Sequence, residues 1–195
     1  MKNIIPKDSR YIPFVQQQSC CAVACFLMVM YKRGIPLISQ ELLGYHLGLI
    51  VSPENKHLFW NVRTGKKPVA GYGTRVFSKF YEPNKVFKKL KIPLKFDTTC
   101  HIDCYKTEKQ FREFIVDSVD KNKDMLACFD QGALNDNDNR AGHVCVLDRI
   151  YPKKGLVRII DPSAGQPKWR LVKIGKLKKA MELHPANGGG FWELK

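Results

Sequence analysis

The sequence contains one uncharged stretch near its beginning, residues 19–31, which reads SCCAVACFLMVMY and is followed by Lys-Arg-Gly. A helix that is apolar on every side belongs in the centre of a domain. Ser19 is predicted to be its N-cap, and Gly34 is predicted to end it. We therefore expect the chain to fold around a buried N-terminal helix.

Two adjacent cysteines, Cys20 and Cys21, stand at the start of this predicted helix. The unpaired N–H groups and the dipole of a helix N-terminus favour a thiolate, which is how thiol enzymes hold a nucleophile. Alternatively, both cysteines are small core residues, since cysteine is often buried. The stretch by itself leaves both interpretations open.

The length and composition favour a single domain spanning residues 1–195. With 195 residues, of which 44% are hydrophobic, the chain can bury a sizeable core and is neither disordered nor membranous. No apolar run reaches the roughly 20 residues of a membrane span, and the first residues are too polar for a signal peptide. A cytoplasmic location is the default expectation, with export by a signal-less route left open, as is the oligomeric state.

The formal net charge is +15, which raises non-specific affinity for anionic partners. No zinc-finger, RNP or P-loop pattern accompanies the charge. A solvated basic surface is the first interpretation, and a nucleic-acid-associated protein remains an alternative.

The seven cysteines are interpreted as reduced thiols, because several fall within apolar runs of a chain without a signal peptide. Cys100, His101 and Cys104 have the spacing of half a metal clip. Zinc sites usually have two such pairs, and the second is missing. A metal site is therefore not expected here, and the thiol chemistry considered below needs no metal ion or organic cofactor.

Helical patterns come first along the chain and strand patterns later, which favours one α+β domain. Residues 107–119 form an amphipathic helix, with Thr107 and Gln110 spaced as a capping box. Strands are predicted at 125–129, 142–151 and 156–161, with the last two joined as an antiparallel hairpin. The other predicted elements are a loop at 51–83, a short helix at 84–90, a polar loop at 131–140, a strand or helix within 171–183 and a terminal strand at 191–194.

A nucleophilic thiol needs a base, and the base needs a group that orients it. His143 follows a glycine at the start of a predicted strand, and Asp161 ends the strand that returns beside it. Asp148 lies five residues along the strand of His143 and on its opposite face, so it cannot reach the imidazole. Taken singly, His143 can be a structural histidine and Asp161 a turn cap.

The combined pattern resembles the papain-like cysteine peptidases, and most closely the bacteriocin-processing peptidases, which remove double-glycine leaders, and their stand-alone relatives. The matching segments are the cysteine-containing helix through Gly34, the Gly-His-Val-Cys-Val-Leu of residues 142–147 and the Ile-Asp-Pro-Ser-Ala-Gly of residues 160–165. The resemblance implies a papain-like fold, with the N-terminal helix packed on an antiparallel sheet.

The resemblance also implies a site. It makes Cys21 the nucleophile, His143 the base, Asp161 its orienting group and Gln16, or else Gln17, the side-chain donor of the oxyanion hole. The implied activity is hydrolysis of a peptide or amide bond in a peptide or protein substrate. The same triad also serves deamidases and acyltransferases.

The sequence departs from the family pattern in several places. Ala22 replaces a glycine, Val23 replaces a frequent proline, Cys20 takes the place of an aspartate, and Val15 stands where the oxyanion glutamine is common. These departures keep open a catalytically inactive binding module that retains the fold.

Overall fold

The computed structural model describes residues 6–65, 72–138, 140–185 and 188–195, apart from the side chain of Thr99. Parts of two predicted loops, residues 66–71 and 139, lie outside the described residues. The helices are α1 Cys21–Lys32, α2 Gln40–His46, α3 Pro83–Lys89, α4 Glu108–Asp120, α5 Gln131–Asn135 and α6 Ile174–Glu182. The strands are β1 Ile50–Val51, β2 Arg63–Thr64, β3 Phe96–His101, β4 Asp124–Asp130, β5 Gly142–Tyr151, β6 Leu156–Ile160, β7 Trp169–Lys173 and β8 Gly190–Leu194.

Helix α1 is the buried helix that the apolar stretch predicted. Residues 22–30 are all buried, and the chain leaves the helix through Gly34 at φ 66°. The predicted N-cap is wrong: Ser19 adopts a left-handed φ of 61°, and Cys20 is the N-cap, without a side-chain hydrogen bond. No helix in the described ranges is both long and apolar enough to cross a membrane.

Six of the strands form one antiparallel sheet in the order β3-β8-β4-β5-β6-β7. The predicted hairpin pairs β5 with β6, and the register changes between Leu147 and Arg149. Since β6 also pairs with β7, the ends of β5, β6 and β7 lie side by side. Asp161 N–H extends the last ladder by donating to Lys168 O at 2.9 Å.

The core has two hydrophobic clusters, one on each face of the sheet. The first contains α1 with the even-numbered residues Leu126, Cys128, Val144 and Val146. The second contains apolar residues of α4 and α6 with the odd-numbered residues of the same strands. Both faces of β4 and β5 are therefore covered, which explains why these strands read as nearly continuous apolar runs.

Several elements differ from the predictions, and one of them is β2, which lies within the loop predicted at 51–83. The loop predicted at 131–140 contains α5, whose N-cap Asp130 accepts a hydrogen bond from Ala133 N–H at 2.6 Å. Strand β3 was not predicted, because its Asp and Thr residues interrupt the apolar pattern. Residues 169–182 form a strand followed by a helix, whereas one or the other was expected. The capping box of α4, formed by Thr107 and Gln110, is confirmed.

Candidate active site

Cys21 is the first residue of α1, and its side chain is half-buried. Burial by itself would raise its pKa. A hydrogen bond from His143, the positive charge of that imidazole and backbone hydrogen bonds from Val144 and Ala22 outweigh burial, so the pKa of Cys21 lies below its usual value. A lowered pKa increases the thiolate fraction of Cys21, and the thiolate is the nucleophilic form of a cysteine.

His143 is the second residue of β5 and is buried. Its Nε2 lies 2.9 Å from Asp161 Oδ1, and its ring packs edge-on against Phe129 with the centroids 5.7 Å apart. Burial would lower the pKa of His143, but Cys145, Asp161 and Cys21 together hold it well above the usual value. Because the Cys145 thiol stays protonated near neutral pH, we attribute most of the increase to the Asp161 carboxylate.

Asp161 directly follows β6 and is fully buried. Its Oδ1 accepts from His143 and from Ser163 N–H at 2.9 Å, and its Oδ2 accepts from Arg170 Nη1 at 2.6 Å. Burial opposes ionisation, yet the hydrogen bond and charge of His143, together with Ser163 and Arg170, hold the pKa of Asp161 well below its usual value. The carboxylate is therefore charged where it meets the imidazole.

The pKa values of the other thiols near this site are raised rather than lowered. Burial raises the pKa of Cys20 to about 12, with smaller contributions from Cys21 and Glu41. Burial also raises the pKa of Cys25 and Cys128. Of the two adjacent cysteines, Cys21 thus has a lowered pKa, whereas Cys20 is buried and has a raised one.

Gln16 and Gln17 differ in their surroundings. Gln16 is partly buried, and its N–H donates to Pro162 O at 2.9 Å, which ties it to the turn after Asp161. Its Oε1 is buried and has no hydrogen-bond partner within the described part of the chain. Gln17 is exposed, and its N–H donates to Gln40 Oε1 at 2.8 Å.

Cys145 adds a second thiol to the site, two residues along β5 from His143. One ligand atom from each of Cys145, His143 and Asp161 lies within 4.8 Å of the other two. Among the described residues, this is the one group that could hold a metal ion. The group is poorly suited to a cation, because both Asp161 oxygens already accept hydrogen bonds and Arg170 adds a positive charge. Burial also raises the pKa of Cys145 to about 12, so the thiolate ligand is disfavoured.

Asp148, the rejected alternative to Asp161, has other partners. Its Oδ2 accepts from Arg158 Nε at 2.6 Å, and its Oδ1 accepts from Arg10 N–H at 2.9 Å. It fixes the N-terminal segment to the far end of the hairpin.

Four further polar residues around Asp161 were not singled out from the sequence. Ser163 Oγ lies 3.3 Å from His143 Nε2, and Lys168 Nζ donates to three carbonyl oxygens of the turn, those of residues 161–163. Arg170 bridges Asp161 and Asn135. The pairing of β6 with β7 places Arg170 opposite Ile159. Cys145 could have been placed beside His143 from the sequence, because residues two apart on a strand lie on the same face of the sheet.

A buried helix bearing a thiol at its N-terminus, packed on an antiparallel sheet that supplies a histidine and an aspartate, defines an α+β fold of the papain-like type. The comparisons with known proteins agree with that fold. A candidate C39-like peptidase from Bacillus anthracis, a solved structure, superposes with a TM-score of 0.57 over 94% of each chain at 18% sequence identity. No family model and no curated protein match the sequence.

Proposed function

We propose that residues 1–195 form one papain-like thiol hydrolase domain that cleaves peptide or amide bonds, with Cys21 as nucleophile, His143 as base and Asp161 as its orienting group. The observation that carries the proposal is the 2.9 Å contact between His143 and Asp161, beside a Cys21 thiol whose pKa the imidazole lowers. The fold shared with a candidate C39-like peptidase supports it.

In the proposed reaction, the Cys21 thiolate attacks the acyl carbon of the bond to be cleaved. The resulting oxyanion accepts hydrogen bonds from the Gln16 side-chain amide and from Cys21 N–H at the start of α1. Protonated His143 gives its proton to the leaving amine, and a thioester forms on Cys21. Water, deprotonated by His143, then attacks the thioester, which releases the carboxylic acid product and restores the thiolate–imidazolium pair.

Gln16 is preferred over Gln17 for the oxyanion hole. Its main chain is bonded to Pro162, in the turn that follows Asp161, and the residue is partly buried. Gln17 is exposed. A partly buried amide tied to the turn beside Asp161 supports a donor role better than an exposed one.

The substrate class follows from the resemblance to the bacteriocin-processing peptidases. We propose a peptide with a double-glycine motif before the cleaved bond as the first substrate to assay. Deamidation or acyl transfer by the same residues gives different products from the same peptide, so mass spectrometry of the products separates the three reactions.

The test compares two adjacent serine substitutions. Cys21→Ser should abolish both cleavage of a quenched fluorescent Gly-Gly peptide and labelling by iodoacetamide at this position. Cys20→Ser, the matched control, should retain both, because Cys20 is a buried helix cap. Circular dichroism checks that each variant is folded.

Three outcomes would count against the proposal. Loss of activity in Cys20→Ser with retention in Cys21→Ser would move the nucleophile by one residue. A wild-type protein whose Cys21 reacts no faster than its buried cysteines would favour an inactive binding module. Salt-dependent binding of DNA or RNA without thiol reactivity would favour the nucleic-acid alternative.

A further inference from the structure

Arg170 contacts the proposed triad from outside it. It lies on β7, its side chain is largely buried, and its Nη1 donates to Asp161 Oδ2 at 2.6 Å. Its Nη2 donates to Asn135 Oδ1 at 2.7 Å, at the end of α5. The guanidinium therefore connects a helix on the second cluster's face with the carboxylate that faces His143.

The two oxygens of Asp161 are held independently. Ser163 N–H donates to Oδ1, the oxygen that also accepts from His143, whereas Arg170 holds Oδ2. Oδ1 thus keeps both of its contacts, with His143 and with Ser163 N–H, when Arg170 is changed. The effect of the guanidinium charge can then be measured apart from the position of the carboxylate.

We propose that Arg170 is a positioning residue of the hydrolysis proposed above: fixed by Asn135, it holds Asp161 Oδ2 and offsets part of the carboxylate charge, so that His143 keeps enough acidity to protonate the leaving amine. The inference rests on the proposed function. It assigns to Arg170 a role that acts through Asp161, without contact with the substrate.

The sign of the effect follows from the charges near His143. An uncompensated Asp161 would stabilise the imidazolium more strongly, and the imidazolium would in turn stabilise the Cys21 thiolate. The thiolate–imidazolium pair would then persist over a wider pH range, but its proton would be harder to transfer. The charged and titratable groups around the imidazole and its carboxylate are Cys21 and Cys25 on α1, Cys145 on β5, Asp161 and Lys168 in the turn, and Arg170 on β7.

The test measures the rate of iodoacetamide alkylation at Cys21 against pH, by peptide mass spectrometry, for Arg170→Gln and wild type. We expect the acid limit of alkylation to move down, and the alkaline limit of peptide turnover, which requires the imidazolium, to move up, by about one pH unit each, as expected for one charge two hydrogen bonds away at an intermediate dielectric. Turnover of the Gly-Gly peptide should fall about tenfold with KM little changed.

Two control variants accompany this measurement. Arg149→Gln removes the same charge from the far part of β5, where Arg149 Nε donates to Asp8 O at 2.8 Å, and should leave the range unchanged. Arg170→Lys keeps the charge but cannot span Asp161 and Asn135 together. It should keep both limits of the range and lower turnover only.

A second substitution covers the case in which Arg170→Gln does not fold. Asn135→Asp keeps the size of the side chain and places a competing carboxylate against the guanidinium, so it should widen the range in the same direction by a smaller amount. Ranges of Arg170→Gln and Asn135→Asp that overlay the wild-type range, with both variants folded, would overturn the role of Arg170. If wild-type Cys21 itself shows no preferential alkylation, the proposed function fails first, and the two failures are thereby distinguished.

Discussion

Replacing Asp161 by asparagine should narrow the pH range over which Cys21 is reactive. The change preserves the shape of the side chain and removes the charge that faces His143 at 2.9 Å. The imidazolium then loses its counter-ion while the Arg170 guanidinium remains beside it, so the pKa of His143 should fall and that of Cys21 should rise. This is the opposite of the change expected for Arg170→Gln.

The magnitude can be estimated from the contact. Two unit charges about 4 Å apart interact by about 4 kcal/mol at an effective dielectric of about 20. The Arg170 guanidinium, bonded to the other oxygen at 2.6 Å, is present in both proteins, so its repulsion of the imidazolium does not reduce this difference. The lost attraction corresponds to a fall of up to about three units in the pKa of His143, so alkylation of Cys21 near neutral pH should slow at least about tenfold.

The matched control is Asp148→Asn. Asp148 is also fully buried and paired with an arginine, Arg158, at 2.6 Å, but it lies away from the triad. Each substitution leaves a buried arginine without its carboxylate, and each should cost about 3–5 kcal/mol of unfolding free energy. Equal narrowing of the reactive range in the two variants, or none in Asp161→Asn, would refute the reasoning.

Two further predictions concern the oxyanion hole and acid stability. Gln16→Ala should lower peptide turnover about 100- to 1,000-fold without slowing iodoacetamide alkylation of Cys21, because alkylation forms no oxyanion, while Gln17→Ala should change neither rate. Equal losses of peptide turnover in the two variants would reject Gln16 as the side-chain donor of the oxyanion hole. Since the folded-state pKa of Asp161 lies below the usual aspartate value of about 3.9, its contribution to stability is complete above that pH and is lost as the pH falls through the folded-state pKa. The difference in unfolding free energy between wild type and Asp161→Asn, from urea titrations, should therefore shrink below about pH 4. A difference in unfolding free energy that stays constant with pH would contradict a charged Asp161 in the folded protein.

Local patterns were sufficient for much of the fold. The uncharged run predicted α1, and the Thr107–Gln110 spacing predicted the start of α4, because capping depends on neighbouring residues. The bounds predicted for β5 agree with the structure, since its apolar run ends in turn residues. Ser19 was wrongly predicted as the N-cap because composition does not fix φ, and the left-handed conformation at this residue makes Cys20 the cap.

Some contacts of the candidate site could likewise be predicted from the sequence, and others could not. Adjacency in a hairpin is encoded locally, so the sequence by itself indicated that His143 and Asp161 meet, and the resemblance to a family added Cys21 and Gln16. Which of the two adjacent thiols has its pKa lowered depended on the packing of α1 against β5, where Cys21 meets the imidazole and Cys20 is buried. Arg170 reaches Asp161 because β7 pairs with β6, and Asn135 reaches Arg170 from another element. Such contacts join residues that are distant in sequence, and only the tertiary structure decides them.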